Sequence, residues 1–385
     1  MAMSERPPNV RHLAALAATV RSGSLTRAAR AVNLTQPALT QAIARLEGEL
    51  GVSLFERGAG GMTPTPPALL LAPRAEAAIA QIGSSRVTGT QVRAFLALAR
   101  AGSWAAAAEA AGLAPASLHR AVGDLSLALG QRLVERRGRQ VMLTPAGERR
   151  ARQFGVAMAE LRAGLAEVMA WQGKAAGRIV VGAMPLSRAR WLPATILAFR
   201  AAHPGVEIAV VEGSHSELAG PLRDGELDLM LGALRDGPGL DDLAQEMLFV
   251  DRPQVIARAG HPLVRAGTPP DGRALAACDW VLPGRETPLA HMWEAMLRAA
   301  GGEPPRVAIE CGSVITVRQL LLGSDTLTLL SPEQLAVEIG AGLLAVLPVP
   351  GEVARRIGVT TRAGWRPTPT QAAFMALLRE AATGG

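Results

Sequence analysis

A segment of about 60 residues occurs twice in this 385-residue chain. Shifting the sequence by 79 positions places the residues from near 13 to near 57 on a second set that begins near residue 92. The identical pairs include Gly23 and Gly102, Leu34 and Leu113, and Glu56-Arg57 and Glu135-Arg136. Farther on, Thr63-Pro64 aligns with Thr144-Pro145 after a two-residue insertion. Two copies are too few for a solenoid, so the repeat indicates a duplicated domain.

Each copy is predicted to form three short helices followed by a hairpin. In the first copy, apolar residues recur at helical spacing from Leu13 to Val20, and Gly23 suits the C-cap of that helix. Ser24 and Thr35 suit the N-caps of the second and third helices, and Pro37 falls in the first turn of the third, where its missing N–H does no harm.

The third helix of the first copy is predicted to have one apolar and one polar face. The apolar face carries Leu39, Ile43, Leu46 and Leu50, and the polar face carries Gln36, Thr40, Gln41, Ala44 and Arg45. Gln, Thr and Arg side chains supply the donors and acceptors that read base edges in the DNA major groove. The alternative is the ordinary solvated face of a structural helical bundle.

Positive charge is concentrated in the half of the chain that holds the repeat. Residues 1–174 contain 21 Arg and Lys against 11 Asp and Glu, a net charge of +10, whereas residues 175–385 contain 19 against 22, a net charge of −3. Neutralising phosphates is the main sequence-independent contribution to nucleic-acid affinity. The split favours a polyanion-binding module joined to a different domain, and a solvated basic surface is the alternative.

Composition excludes several other classes of protein. The chain is 49% hydrophobic and 19% charged, as globular proteins are. The longest uncharged stretch, residues 58–73, is too short and too rich in proline to span a membrane, and the N-terminus lacks an apolar secretion signal. Neither the two cysteines, Cys278 and Cys311, nor the six histidines have metal-site spacing. We therefore expect a cytoplasmic protein without a metal or a cofactor.

An ordered run in the first copy carries a family resemblance. Ala28-Ala29, Leu34 to Thr40, Ile43, Leu46-Glu47, Leu50-Gly51 and Leu54 to Arg57 closely resemble the winged helix-turn-helix of LysR-type transcriptional regulators. Members of that family usually carry one such module, then a long linker helix and an effector-binding domain. The resemblance implies a regulator that binds double-stranded DNA, with RNA polymerase as a candidate partner.

The second copy departs from the family pattern in its third helix. Ala114, Pro115, Gly123 and Asp124 stand where the first copy has Thr35, Gln36, Ala44 and Arg45. The second wing, in contrast, is the more basic one. We expect base contacts mainly from the first copy and phosphate contacts mainly from the second. The predicted DNA-binding residues are Ser24, Thr35, Gln36, Pro37, Thr40, Gln41, Arg45 and Arg57 in the first copy, and His119, Arg120, Arg136, Arg137 and Arg139 in the second.

The segments that follow the two wings are also expected to differ. Residues 148–171 contain no proline, and their apolar residues recur near 3.6 spacing, which predicts a long amphipathic helix. In the family this helix pairs with its counterpart in another subunit, so the resemblance implies a homodimer or homotetramer. After the first wing, three prolines leave only a shorter helix, about Ala68 to Ile82, as a connector.

The C-terminal half alternates short apolar strands with helices, which predicts mostly parallel sheets covered by helices. Two such α/β lobes resemble the periplasmic-binding-protein-like effector domain of the LysR family. The stretches Gly182 to Leu186, Glu212-Gly213 and Leu231 to Arg235 look most like the subgroup that resembles the galactose-binding protein regulator.

An effector is expected where strands end and helices begin, because free N–H groups there bind oxygen atoms. The predicted effector-binding residues are Pro185, Leu186, Ser187, Ser214, Thr287 and Ser313, and the predicted effector is a small polar or anionic metabolite. Arg188 and Arg190 would add positive charge. The alternative for each serine or threonine is a plain N-cap.

The chain is therefore predicted to be multidomain: two α winged helix-turn-helix modules, a linker helix and a two-lobed α/β domain. The predicted bounds are 9–66 and 91–147 for the modules, 67–90 for the connector, 148–174 for the linker helix, and 175–385 for the effector domain, with one lobe at 178–252 and 346–385 and the other at 253–345. Neither a GxSxG, a Walker nor an HExxH motif occurs, which argues against an enzyme. A solute sensor whose N-terminal half only oligomerises is the remaining alternative.

Overall fold

The computed structural model describes residues 9–58, 61–137, 140–174, 177–348, 351 and 353–383. The chain divides into two compact units. The first holds residues 1–178 with the short segments 205–207 and 223–226, and the second holds the remainder.

The first unit contains both copies of the repeat and the helix that follows each. Its elements are α1 (Val10–Ser22), α2 (Leu25–Ala31), α3 (Gln36–Leu50), β1 (Phe55–Gly58), β2 (Gly61–Pro64), α4 (Pro66–Ile82), α5 (Gly89–Ala101), α6 (Trp104–Ala111), α7 (Pro115–Leu129), β3 (Val134–Arg137), β4 (Gln140–Leu143) and α8 (Pro145–Trp171). We call α1–α3 with β1–β2 the first module, and α5–α7 with β3–β4 the second. The predicted order of three helices and a hairpin is thus observed in each copy.

The two modules superimpose at a constant spacing of 79 residues, including the segment after the wing. The Thr65 hydroxyl donates to the Ser53 carbonyl at 2.7 Å, and the Thr144 hydroxyl donates to the Arg132 carbonyl at the same distance. Both threonines are N-caps, of α4 and of α8. The predicted two-residue insertion was therefore wrong. Thr-Pro occurs twice in succession in the first copy, and the sequence comparison chose the earlier pair.

The helices α4 and α8 pack against each other. Their buried apolar residues belong to the same hydrophobic core as those of the two modules. The sequence assigned the apolar face of α8 to a second subunit and assigned α4 to a connector. In this chain that face packs within the same unit, on α4, which starts two residues earlier than predicted, and on α5, whose Phe95 ring lies edge-on to Phe154 with 6.0 Å between ring centroids.

The second unit is built on strands and helices. Its elements are β5 (Arg178–Ala183), α9 (Trp191–Ala202), β6 (Glu207–Glu212), α10 (His215–Arg223), β7 (Leu229–Ala233), β8 (Leu243–Asp251), β9 (Gln254–Arg258), α11 (Pro262–Arg265), α12 (Gly272–Ala276), β10 (Val281–Leu282), α13 (Pro288–Ala299), β11 (Ile309–Glu310), α14 (Val314–Gly323), β12 (Thr328–Leu330), α15 (Ala336–Gly340), β13 (Leu344–Leu347), β14 (Arg355–Arg362) and α16 (Pro369–Thr383), with 3₁₀ turns at Pro185–Arg188 and Pro332–Leu335.

The strands of this unit form a five-stranded sheet in the order β6-β5-β7-β14-β8, a three-stranded sheet in the order β12-β9-β13, and the pair β10-β11. Parallel pairing joins β5 to β7 and β10 to β11. In contrast, β14 is antiparallel to β7 and β8, and β9 is antiparallel to β12 and β13. The prediction of mostly parallel sheets was wrong for these strands, because the partners lie far apart in the chain and the alternation of neighbouring strands and helices does not fix their relative direction.

We expect Gly358→Ala to destabilise the five-stranded sheet. An added Cβ would lie 1.9 Å from the Glu246 carbonyl oxygen on the neighbouring strand β8, which is backbone and cannot rotate away. Overpacking of this kind costs about 1–3 kcal/mol. Urea unfolding of the full chain measures it. Gly323→Ala, at a helical site with open space around it, is the matched control and should be neutral or slightly stabilising; equal midpoints for the two variants would contradict the packing described.

Candidate DNA-binding and effector-binding sites

The first module holds α2 and α3 at a fixed angle through capping and a tight turn. The Ser24 hydroxyl accepts a hydrogen bond from the Arg27 N–H at 3.5 Å, and the Thr35 hydroxyl accepts one from the Ala38 N–H at 3.4 Å. Asn33, between the helices, has φ 54°, a left-handed conformation that asparagine tolerates. Ser24 and Thr35, both predicted to bind DNA, therefore have a structural function as N-caps.

The polar face of α3 is exposed as predicted. Gln36, Gln41 and Arg45 are exposed, and so is Pro37 in the first turn. Thr40 is half-buried, and its hydroxyl donates to the Gln36 carbonyl at 3.0 Å, so its oxygen is partly committed to the helix. Three long polar side chains on one helix face can donate to and accept from base edges.

The corresponding face of α7 is built differently. Ala114 provides no side-chain cap for this helix. The His119 ring stacks on Trp104 at the start of α6, with 3.7 Å between ring centroids and 21° between planes. His119 therefore packs α7 against α6, a contact that the sequence analysis did not foresee. Arg120 is exposed on the same helix.

Each hairpin pairs its two strands in antiparallel register. Arg57 lies on β1 and Arg137 on β3, but their side chains fall outside the described part of the chain, as does Arg139 entirely. Arg136 on β3 is exposed. The predicted basic wing is thus described at Arg136 only.

Ser187 does not lie where the sequence placed it. Its side chain is fully buried, and its hydroxyl donates to the Met184 carbonyl at 2.8 Å within the 3₁₀ turn. Leu186 beside it is buried as well, and Pro185 is half-buried. The prediction that Ser187 begins a helix facing a ligand was wrong, because the chain makes a 3₁₀ turn there and α9 starts only at Trp191.

The other predicted effector residues are N-caps. Thr287 accepts from the Ala290 N–H at the start of α13, and Ser313 accepts from the Thr316 N–H at the start of α14. These two loops follow β10 and β11, which are parallel neighbours, so both lie at one sheet edge as predicted. Ser214 is exposed, and its backbone N–H and its hydroxyl both donate to Glu217 at 2.7 Å. These two bonds, the backbone one first, lower the pKa of the Glu217 carboxyl.

The two arginines near the 3₁₀ turn are paired with carboxylates. Arg188 forms an ion pair with Glu212, and Arg190 forms one with Glu333 at 3.0 Å. Their charges are therefore balanced within the chain, so neither is the free cation that an anionic effector would require.

Family models match both halves of the chain. The model described as "Bacterial regulatory helix-turn-helix protein, lysR family" matches residues 10–69 and again 90–148. The model described as "LysR substrate binding domain" matches residues 172–383, more than half of the chain. The chain belongs to the LysR family. It is a LysR-type DNA-binding transcriptional regulator with an effector-binding domain.

Individual relatives agree with this assignment. The HTH-type transcriptional regulator GalR of Pseudomonas putida is 34% identical over 98% of this chain and 98% of its own length. The HTH-type transcriptional regulator GbpR of Azospirillum brasilense is 26% identical over 59% of this chain and 66% of its own. The solved structure of ArgP from Mycobacterium tuberculosis shares the fold, with a TM-score of 0.59 at 19% identity, covering 76% of this chain and 97% of its own.

Membership of the LysR family also bears on the enzyme and solute-sensor alternatives. Its members are transcriptional regulators rather than enzymes, they bind DNA and small-molecule effectors, and they act as oligomers. Among the described residues, no cluster of His, Cys, Asp and Glu could hold a metal ion. Among the same residues, no helix is long and apolar enough to cross a membrane.

One side chain of this LysR-type regulator was missed as a candidate for effector binding. Arg235 follows β7 and is half-buried, and within the described part of the chain its Nε is buried without a hydrogen-bond partner. Burial lowers the pKa of its guanidinium. In the sequence, Arg235 stands out only as part of a subgroup pattern; the signal that indicates it is a cation just after a buried strand, at the sheet edge where ligands bind.

Proposed function

We propose that both modules are winged helix-turn-helix modules produced by tandem duplication, and that the first supplies most of the sequence discrimination. What supports this is the exposed face of α3, where Gln36, Gln41 and Arg45 are available to base edges. Arg45 makes no ion pair within the described part of the chain, so its guanidinium is ready for bidentate contact with guanine.

The second module is the poorer reader of bases. At the positions equivalent to Ala44 and Arg45, α7 exposes Gly123 and Asp124. A carboxylate facing the groove repels phosphate, and a glycine weakens the helix by about 1 kcal/mol. The exposed Arg136 on the wing fits a phosphate contact, and the neighbouring Arg137 and Arg139 extend that proposal. This module therefore contributes affinity more than specificity.

We expect Arg45→Ala to lose about 1–3 kcal/mol of discrimination between operator and non-operator DNA, because a bidentate base contact disappears. A mobility-shift titration against scrambled competitor measures it, with a duplex from the region upstream of the protein's own gene. Asp124→Ala, at the equivalent position of α7, is the matched control. It should keep the preference and bind all DNA slightly more tightly; an equal loss in both variants would mean that the modules read bases alike.

We further propose that the effector is a small anionic metabolite held by Arg235. The supporting observation is that Arg235 lies at the carboxyl end of β7, next to the end of β5, since the Met184 N–H donates to the Leu231 carbonyl at 3.0 Å. Arg188 and Arg190 already have carboxylate partners, so Arg235 is the better anchor for an oxyanion. We include three further features in this proposal. The effector domain has two lobes, and the effector lies between helix N-termini. The regulator acts in the cytoplasm, with RNA polymerase as a partner.

We expect Arg235→Gln to abolish stabilisation by anions while DNA binding persists. A hydrogen bond to a charged group contributes about 1.5–3 kcal/mol, so binding should weaken by roughly ten-fold or more. Thermal melting of the full chain with phosphate, sulfate and a panel of small carboxylates measures the effect. Arg273→Gln, which alters an exposed arginine on α12, serves as the control. An unchanged anion response in Arg235→Gln would place the effector elsewhere.

A further inference from the structure

The helices α4 and α8 occupy equivalent places in the two copies of the repeat. Each starts from a threonine N-cap that is bound to the turn before its own wing, and the two threonines are 79 residues apart. On this spacing Leu71 corresponds to Arg150, Arg74 to Gln153, and Ala78 to Ala157. Contact between α4 and α8 is therefore contact between two equivalent helices.

The two helices run antiparallel. Arg74, in the middle of α4, reaches Glu160 and Glu167 in the C-terminal half of α8. At the opposite end, Gly83, just after α4, lies beside Arg150 near the start of α8, with 3.3 Å between the Arg150 Nη1 and the place of a Gly83 Cβ. The N-terminal part of each helix thus meets the C-terminal part of the other.

The positions that α4 contributes to the contact are nearly equivalent to those that α8 contributes. Leu71 of α4 packs on Gly164, whose added Cβ would be 2.9 Å from the Leu71 Cδ1. Arg150, the equivalent of Leu71, packs beside Gly83, whose equivalent in α8 is only two residues from Gly164. Ala78 and Ala157, equivalent residues, are both fully buried. This reciprocity is the geometry of a two-fold dimer interface, formed here inside one chain.

A buried ion triad lies on one side of this interface. The Arg74 Nη1 is 3.1 Å from Glu160 and its Nη2 is 2.7 Å from Glu167, and the three side chains are 6%, 15% and 9% exposed. Burial alone would lower the pKa of Arg74, but the hydrogen bonds and charges of the two glutamates outweigh it and raise the pKa. The Arg74 guanidinium therefore keeps its positive charge in this buried site.

The triad has no counterpart on the other side, and this asymmetry selects the pairing. The equivalents of Arg74, Glu160 and Glu167 are Gln153, Gln81 and Thr88. If two α8 helices from different chains paired in the same way, Glu160 and Glu167 would face Gln153. Two α4 helices would place Arg74 opposite Gln81 and Thr88. Either arrangement buries charge without an opposite charge beside it, which disfavours that pairing.

We propose that the α4–α8 pair takes the place of a dimer contact, so that one chain presents two unlike recognition helices, α3 and α7, to a single DNA site. That site then consists of two different half-sites, because α3 offers Gln36, Gln41 and Arg45 where α7 offers Pro115, Arg120 and Asp124. A further copy of the chain associates through surfaces other than the apolar face of α8. The half-site part of this inference rests on the proposed roles of α3 and α7, and the pairing part does not.

Charge reversal tests whether the pair forms within one chain. Arg74→Glu alone, and Glu160→Arg with Glu167→Arg alone, should each lower the melting temperature of the full chain by roughly 5–15 °C. All three changes in one chain should restore much of it, whereas co-expression of the two partial variants should not. A melting temperature that Arg74→Glu leaves unchanged would overturn the pairing, and restoration by co-expression would show that it occurs between chains.

A cysteine pair tests whether α4 and α8 pair within one chain if the reversed-charge chains do not fold. Leu71→Cys with Gly164→Cys keeps the charges of the ion triad. The smaller side chain at 71 removes one close contact of the new Cβ at 164, and the Arg74 Cβ, 2.9 Å from it, must shift slightly to relieve the other. With Cys278→Ser and Cys311→Ser as background, oxidation should produce a disulfide within one chain, which migrates as a monomer on a non-reducing gel and has no thiol left for alkylation; a monomer that keeps both thiols would also overturn the pairing. Each single cysteine is the control. A covalent dimer formed only by the double variant would overturn the proposal.

Selection from a random duplex library tests the half-sites with the full chain. We expect a non-palindromic consensus in which Arg45→Ala weakens base preference on one side only. An inverted repeat that loses preference on both sides would overturn the proposal, because it requires two copies of α3. Failure to enrich any sequence would instead count against sequence-specific DNA binding, while the gel and melting experiments would still decide the pairing.

Discussion

The packing of α4 on α8 is the contact on which the first unit depends. Neither three-helix module is large, and a domain of about 60 residues buries too little surface to be more than marginally stable. Here the buried residues of both modules, α4 and α8 form one continuous core. Within it, Arg74 between Glu160 and Glu167 adds little net stability over apolar residues of the same size, but it penalises every other pairing. Burial stabilises the unit, and the ion triad determines which helices meet.

The sequence predicted those parts of the fold that depend on local signals. Ser24 and Thr35 cap helices as expected, and Gly23 and Gly102 both end helices in the left-handed conformation that glycine favours. The exposed face of α3 followed from helical spacing alone. The insertion error arose because Thr-Pro is repeated, and only the hydrogen bonds of Thr65 and Thr144 identify the equivalent pair.

What the sequence could not predict depends on residues far apart in the chain. Arg74 lies 86 and 93 positions from its two glutamates, so no local pattern reveals that α4 covers α8. The burial of Ser187 depends on a 3₁₀ turn, whose cap looks like that of a helix in the sequence. Likewise the partners of Arg188 and Arg190 lie on distant elements, and their pairing makes Arg235 the stronger candidate for binding an anion.

The two modules share residues that serve folding and differ in residues on the face proposed to contact DNA. Several positions that end a helix, cap one or fill the core are the same in both: Gly51 matches Gly130, Ser24 matches Ser103, and Leu39 matches Leu118, whereas the cap Thr35 is matched by Ala114. The differences fall on the exposed face, where Thr40 is matched by His119 and Arg45 by Asp124. His119 has taken on packing against Trp104, so its ring faces are no longer free for DNA. A module joined to its twin by a buried interface keeps its fold while its recognition face changes, and α7 has the surface expected of that situation.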